Sequence, residues 1–359
     1  QNLLPVSVQV FNTPDRDRFT QNYAWGIFGQ DTWRFKRASV SYGLRWDAFQ
    51  SSISAEESGA GVYVPQRIFG PEKMPPWKNL EPRFSVTYDL SGDGKTAVKF
   101  SANKIVLSAT NGIAAALNPM RLQSSSLSWT DMNGDDIAQG ARGCTYLTAG
   151  CEMNFAQLPS TFGLITPGCT TIYSPGSIGC GTDQADPNIK RDTEIAYAIG
   201  VQHELMPGFA VNGGYYYTRF YNLRQTNNIL RTFADYTPVD VVSPLDGQVI
   251  TIYNVSAAAQ SRVANLQTSS DNAERWNSSF EFGFTARLPR GAAAFGGVAI
   301  DRTLQIQCDI TDDPNRLKFF DKTKNPMPFN TQFKFAGSTP LPWKIDLGVT
   351  FQTYKYFYG

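Results

Sequence analysis

From Tyr23 to Phe35 the large apolar residues stand at odd positions: Tyr23, Trp25, Ile27, Trp33 and Phe35. From Val40 to Ala48 they stand at even ones: Val40, Tyr42, Leu44, Trp46 and Ala48. Alternation with a period of two over this length predicts strands, because successive side chains of a strand point to opposite faces. A two-residue turn at Lys36-Arg37 accounts for the switch in parity. It sets Phe35 opposite Ala38, Trp33 opposite Val40, Ile27 opposite Trp46 and Trp25 opposite Ala48, all on one face of an antiparallel hairpin.

Four further hairpins obey the same rule. Pro82, Phe84, Val86, Tyr88 and Leu90 lead through Gly92-Asp93-Gly94 to Thr96, Val98, Phe100 and Ala102. Ile195, Tyr197, Ile199, Val201 and Leu205 turn at Met206-Pro207-Gly208 into Phe209, Val211 and Tyr215. Trp276, Phe280, Phe282, Phe284 and Leu288 turn at Pro289-Arg290-Gly291 into Ala292, Ala294, Val298 and Ile300. Phe333 and Phe335 are followed by a turn over Ser338 to Trp343 and by Ile345, Leu347, Val349 and Phe351. Loop length and parity agree in each, so one apolar face runs through all five. Val6, Val8 and Val10 add a leading strand, for roughly eleven strands in all.

The turns inside hairpins are short, but the links between hairpins run to about 30, 80, 50 and 25 residues, and a soluble domain rarely carries several structureless links beyond about 15. They place long loops at about 50–80, 108–190, 221–273 and 303–329. Short turns alternating with long outer loops are the habit of outer-membrane barrels. The opposite face carries Gln30, Thr32, Arg34, Ser41, Arg45, Asp47, Arg83, Ser85, Asp89 and Lys99, with Glu194, Gln202, Asn277 and Glu281 further on. Small polar residues with both signs of charge suit a wetted lumen, and the aromatic residues gather near strand ends, where a membrane girdle would lie. The pattern predicts an all-β chain, an antiparallel transmembrane β-barrel with long extracellular loops, ahead of a two-layer sandwich whose apolar face would be a core.

Composition supports this and removes other classes. Charged residues are 18% and aromatic residues 13% of the 359, and the net charge is +1. That leaves no basic field for nucleic acid. No run of about 18 apolar residues exists, so no transmembrane helix is predicted; alternating strands escape that criterion. The opening QNLLPVSVQV has neither a basic n-region nor an apolar h-region, so it does not read as a signal peptide.

Candidate chemistry is sparse. Acyl-transfer catalysis needs a positioned base, and the single histidine, His203, falls on the apolar face beside a turn. SGDGKT at Ser91 to Thr96 ends like a phosphate loop, but Asp89 stands where the first glycine belongs, and a hairpin turn is the reading. Cys144 and Cys151, and Cys169 and Cys180, are close neighbours within one long loop. Two local disulfides are expected in an oxidising compartment; zinc competes, although the spacings are wide and no histidine is near. Cys308 is left over as a free thiol. Asp131, Asn133 and Asp135 around Gly134 offer hard oxygen ligands for Ca²⁺ in an outer loop, against the plainer reading of a solvated turn, and Asp309, Asp312, Asp313 and Asn315 form a similar acidic turn.

FGQDTW with YGLRWDAF, PPWKNLEPRFSVTYDLSGDGKTAVKFSANK, NIKRDTEIAYAIGVQHELMPGFAVNGGYYYTRFYNLRQTNN, ERWNSSFEFGFTARLPRGAAAFGGVAIDRT and CDITDDPNRLKFFD resemble successive barrel segments of the Oar-like TonB-dependent receptors. That resemblance covers most of the chain. It implies a portion of a 22-strand barrel around a plug, in the cell outer membrane, importing a bulky nutrient with energy passed on by TonB. The expected partners are outer-membrane lipid, the nutrient, and the TonB complex through an N-terminal part not included in these residues. Where many relatives carry a second cysteine, Phe320 stands here, so Cys308 lacks its usual partner. No plug and no family-like final strand are recognised, so the chain reads as the middle part of a longer barrel protein.

The expected function is therefore energy-coupled uptake of an oligosaccharide, peptide or metal chelate, with Arg45, Asp47, Arg83, Asp89 and Lys99 on the lumen wall as candidate ligand contacts. The alternative from another class is a structural or surface-interaction barrel without active import. A secreted polysaccharide-binding sandwich ranks below both. An enzyme comes last, for want of a catalytic constellation.

Overall fold

The structure is a computed structural model that describes residues 6–307, 309–319, 321 and 328–353. In chain order the strands begin with β1 (Ser7–Phe11), β2 (Phe19–Phe35), β3 (Ala38–Ile53), β4 (Glu56–Ser58), β5 (Arg67–Phe69), β6 (Glu72–Lys73), β7 (Trp77–Asp89) and β8 (Thr96–Val106). A short helix α1 (Gly112–Leu117) precedes β9 (Ser124–Ser128), β10 (Asp183–Ala185), β11 (Thr193–Met206), β12 (Phe209–Tyr221) and β13 (Leu223–Asn228). Then come β14 (Tyr236–Val242), β15 (Val249–Val255), α2 (Ala257–Gln260), β16 (Asn265–Ser270), β17 (Glu274–Arg287) and β18 (Ala293–Ile306). The chain closes on α3 (Pro314–Phe319), β19 (Asn330–Leu341) and β20 (Ile345–Gln352).

One antiparallel sheet runs β2-β3-β7-β8-β11-β12-β17-β18-β19-β20, with the two-residue β6 also on β3. Its register is the one the alternation requires. Phe35 lies opposite Ala38, Trp33 opposite Val40, Ile27 opposite Trp46 and Trp25 opposite Ala48. Phe84 lies opposite Ala102, Ile199 opposite Tyr215, Phe282 opposite Val298 and Phe335 opposite Phe351. The left-handed Lys36, Arg290 and Trp343 close three of the turns.

Two expectations change. Val6, Val8 and Val10 do mark a strand, but β1 pairs with β9 outside the main sheet. Its apolar side packs onto Leu127, Trp129 and Phe155, so it belongs to a protein core. The eleventh member of the sheet is instead β6. The last turn is also shorter than expected: Ser338 to Leu341 stay paired with Ile345 to Gly348, and only Pro342 to Lys344 turn.

Among the described residues, the apolar face of the sheet is left largely uncovered. Trp25, Ile27 and Trp33 remain 58%, 63% and 63% exposed. Trp25 pairs edge-to-face with Trp46, and Trp33 with Tyr42. Eight residues separate Trp25 from Trp33, about 26 Å along a strand and about 20 Å along the membrane normal at a tilt of about 40°, close to the apolar band of about 25 Å. No helix among the described residues is long and apolar enough to cross a membrane.

At the end of the sheet away from the short turns, the long links are folded rather than structureless. They hold β1 with β9, β4 with β5, β14 with β15, and β10, β16 and β13 as a small three-stranded sheet. Parallel pairing of Asp183 with Asn265 ties the loop after β8 to the loop after β12. Two buried clusters sit in this cap: Val10, Val64, Leu127, Trp129, Cys151, Met153, Phe155, Leu158 and Phe162 form one, and Phe49, Ile53, Met74, Trp77, Ile113, Ala114, Leu117, Ala185 and Ile189 the other.

Candidate functional site: the polar wall and its cap

Residues directly opposite one another across the ladder share a face, so the register places the polar residues in rows. One row runs Thr32, Ser41, Ser85, Ser101, Ala198, Tyr216 and Ser279. The Thr32 and Ser41 hydroxyls share a hydrogen bond of 2.8 Å. The row continues through Asp301 to Asn330, and the next row toward the short turns carries Lys99 and Glu281.

One interacting group of charges lies near the cap. Arg45 Nη2 lies 2.7 Å from Asp47 Oδ1. The pair lies flat across Gly26, where an added Cβ would come within 2.3 Å of Asp47 Oδ1. Arg45 faces Glu81 across the ladder, and Glu81, 3% exposed, has Oε2 3.9 Å from Arg83 Nη2. Arg191 Nη1 stands 3.9 Å from Asp47 Oδ2, while Nε and Nη2 of the same guanidinium donate to the Leu107 carbonyl at 3.2 and 2.6 Å. Arg191 and Glu81 were not among the residues singled out in the sequence. Their only signal was position, Glu81 two residues before Arg83 and Arg191 two before β11.

Of the five wall candidates, Arg45, Asp47 and Arg83 come together and two stand apart. Lys99 Nζ donates to Gln202 Oε1 at 2.9 Å on the neighbouring strand. Asp89 accepts the N–H groups of Gly92 and Gly94 at 2.9 and 3.0 Å, and so holds the turn at the far end.

In the cap, both cysteine pairs are bonded, Cys144 with Cys151 and Cys169 with Cys180, with Cα separations of 6.0 and 4.8 Å. Cys308 and Phe320 lie outside the described residues. His203 sits on the apolar face near the turn, with Nδ1 2.9 Å from Thr96 Oγ1.

The Asp131 turn is closed by its own side chains. Asp131 accepts the N–H groups of Gly134 and Asp136, Asp135 accepts that of Ile137, and Asn133 accepts that of Asp135. The Asp136 and Gly134 amides hold the Asp131 carboxyl below the ordinary aspartate range. A third carboxylate, Glu152, joins the turn from further along the loop: oxygens of Asp131, Asp135 and Glu152 fall within 4.8 Å of one another. Glu152 is 1% exposed and accepts Met132 N–H and Trp129 Nε1–H. Hard oxygens grouped in this way are a Ca²⁺-compatible donor set. The second acidic turn serves as a tie between loops: Asp312 accepts Asn228 N–H and pairs with Arg316, and Asn315 holds the backbone of Tyr253 through both its amide atoms.

The family profile described as "Outer membrane beta barrel domain" matches residues 4–294. No protein of curated function matches the chain. Solved structures similar to it include the FrpB iron transporter of Neisseria meningitidis, F3-3 variant, at 12% identity and TM-score 0.43, covering 90% of this chain and 31% of that one. The alcaligin outer-membrane receptor FauA of Bordetella pertussis matches at 12% identity and TM-score 0.38, over 91% and 37%. The siderophore receptor PirA of Pseudomonas aeruginosa matches at 9% identity and TM-score 0.36, over 94% and 52%. The chain thus spans about a third to a half of the length of these structures.

Proposed function

Because the chain belongs to the outer membrane beta barrel domain family, we propose that it is part of the barrel of an Oar-like TonB-dependent transporter that imports a bulky nutrient. The observation that carries this is one sheet with two solvents. Its outward face is a continuous apolar surface with aromatic residues at both levels, its inward face is polar, short turns close one end, and a folded cap of long loops closes the other. That arrangement suits a wide, gated passage. The phrases from FGQDTW to CDITDDPNRLKFFD add the family's order of segments along the chain.

The long loops face outside, where a nutrient arrives. Arg45, Asp47 and Arg83, with Glu81 and Arg191, are charged wall groups at that end of the sheet, where a ligand would enter. In the sheet, β2 and β20 each have one neighbour among the described residues. Open edges do not persist in lipid, so in the closed barrel both edges are paired. TonB would supply energy through a plug and an N-terminal segment carried elsewhere in the protein. The oligosaccharide, peptide or metal chelate itself is a matter for uptake assays, since fold does not set cargo.

One observation favours a second reading, a surface-interaction barrel without import: the cap has cores and disulfides of its own and could present a rigid surface to partners. Uptake separates the two. The transporter reading predicts a native outer-membrane protein with an intact mass well above 39.7 kDa and ligand uptake that stops when TonB or the proton gradient is removed. Uptake that persists without either, or a protein with no uptake at all, contradicts it.

A further inference from the structure

We infer that the loop joining β8 to β11 is docked onto the lumen wall and forms a size-limiting constriction at the outer mouth. The inference rests on the transporter reading only in taking the polar face as the lumen.

Phe49 and Trp77 are out of step with their strands. They lie in the parity of Arg45 and Asp47 on β3, and of Asn79 and Glu81 on β7, so they point to the polar side. Large aromatic residues there would meet water, yet they are 4% and 7% exposed and stack on each other with centroids 6.0 Å apart. Ile53 at the end of β3 and Met74 from the link to β7 pack in the same cluster, and the loop completes the cover with Ile113 and Leu117 of α1 and Ile189 from its far end. Trp77 Nε1–H donates to the Ile189 carbonyl at 2.7 Å, so the indole is satisfied only while the loop is down.

The docking is fastened at both ends. Leu107, the first residue after β8, gives its carbonyl to the Arg191 guanidinium and its N–H to the Asp192 carbonyl. Arg191 also faces Asp47 on the wall, and its side chain is 5% exposed. An apolar contact in the middle and a clasp at the base hold the segment against the inside of the mouth. A solute wider than the remaining gap must undock α1 from Phe49 and Trp77, so these residues set the size limit.

The test uses the full protein in the outer membrane of intact cells, with a thiol introduced by Ser85→Cys on the lumen face of β7, below Trp77. Impermeant maleimides are added from outside, one small and one carried on a long polyethylene glycol. The small reagent should label and the bulky one should label slowly. Ile113→Asp, which undocks α1, should raise bulky labelling by more than about tenfold, and the milder Ile113→Ala should raise it less, as the loss of buried apolar contacts weakens docking. Unchanged heat-dependent mobility on gels will show that the barrel is intact in each variant. Labelling needs no energised membrane, so the result stands apart from TonB dependence. Equal labelling by both reagents without the Ile113 changes, or bulky labelling unmoved by either change, overturns the constriction. A thiol at position 85 that a lipid-soluble maleimide labels and the small impermeant one does not lies on the lipid side, which overturns the lumen assignment and the constriction with it.

Discussion

In the sheet, Trp33, Phe282 and Phe351 are 63%, 54% and 57% exposed; in the cap, Trp129, Phe155 and Phe162 are 7%, 7% and 4% exposed. The same residue types serve two environments. Cap aromatics are covered by other parts of the chain, and their burial stabilises the loops at about 25 cal/mol per Å² of apolar surface removed from water. Sheet aromatics are left for the bilayer to cover, and they would be a severe liability in water. The difference shows that exposure is meaningful only once the solvent is known. It also explains why loops of this length keep one shape: they contain β1 with β9, the β10-β16-β13 sheet and two buried clusters.

The comparison can be broken at several points, the largest first. Leu127→Ala, at a fully buried cap position, should cost about 2–5 kcal/mol of cap stability. The cap should become protease-sensitive while the barrel keeps its heat-dependent mobility on gels; loss of both together would show that the two regions fold as one unit. Leu44→Arg, on the apolar face opposite Gly29 and so level with the midpoint between Trp25 and Trp33, should cost about 2–4 kcal/mol and be read as reduced assembly in folding titrations from urea into lipid. A neutral outcome there would argue against lipid on that face. Reduction of Cys144–Cys151 and Cys169–Cys180, which close loops of sequence separation 7 and 11, should cost the cap about 2–3 kcal/mol for each, seen as faster proteolysis of the 108–190 loop with the sheet unchanged.

A smaller, pH-dependent effect belongs to Glu56, 5% exposed in the cap. Burial raises its pKa above the ordinary glutamate value, against the hydrogen bonds from Asn118 and the Arg18 amide, and its Oε2 has no hydrogen-bond partner among the described residues. The folded cap then holds this proton more tightly than the unfolded chain does. The contribution is full below the unfolded value and is lost as pH rises through the raised one. Glu56→Gln should remove that part of the pH slope in a thermal-melt series. A slope identical to that of the unaltered protein would show that Glu56 titrates normally.

Much of the sheet was legible because its rule is local. Parity along a strand and the length of a turn settle which residues share a face, and a slip of one residue would reverse every side chain. The final turn was misplaced because Ser338 and Pro340 resemble turn residues, although Pro340 lies past Ser338, where the pairing with β18 stops, and so pairs with β20 alone. The cap was not legible in the same way, because its pairings join distant segments. Alternation revealed the strand at Val6 to Val10 but not its partner, Ser124 to Ser128. The charged group at the mouth was half visible: Arg45, Asp47 and Arg83 follow from parity, whereas Arg191 reaches them only through the fold. Glu152 was hidden for the same reason, since it meets Asp131 and Asp135 by tertiary folding and not by spacing. Phe49 and Trp77 did leave a trace, being large aromatics in the polar parity, and such a break in phase marks a wall that something covers.

The central claim is that a single sheet divides lipid from a watery lumen, with the phase of alternation reversing at Lys36-Arg37. Spin labels placed one at a time from Trp25 to Phe35 and from Ala38 to Ala48, in the protein reconstituted into lipid, test it most directly. Oxygen should relax labels at odd positions before the turn and at even positions after it, and a water-soluble paramagnetic reagent should relax the others. Accessibility without a period of two, or with the same phase on both sides of the turn, would contradict the account.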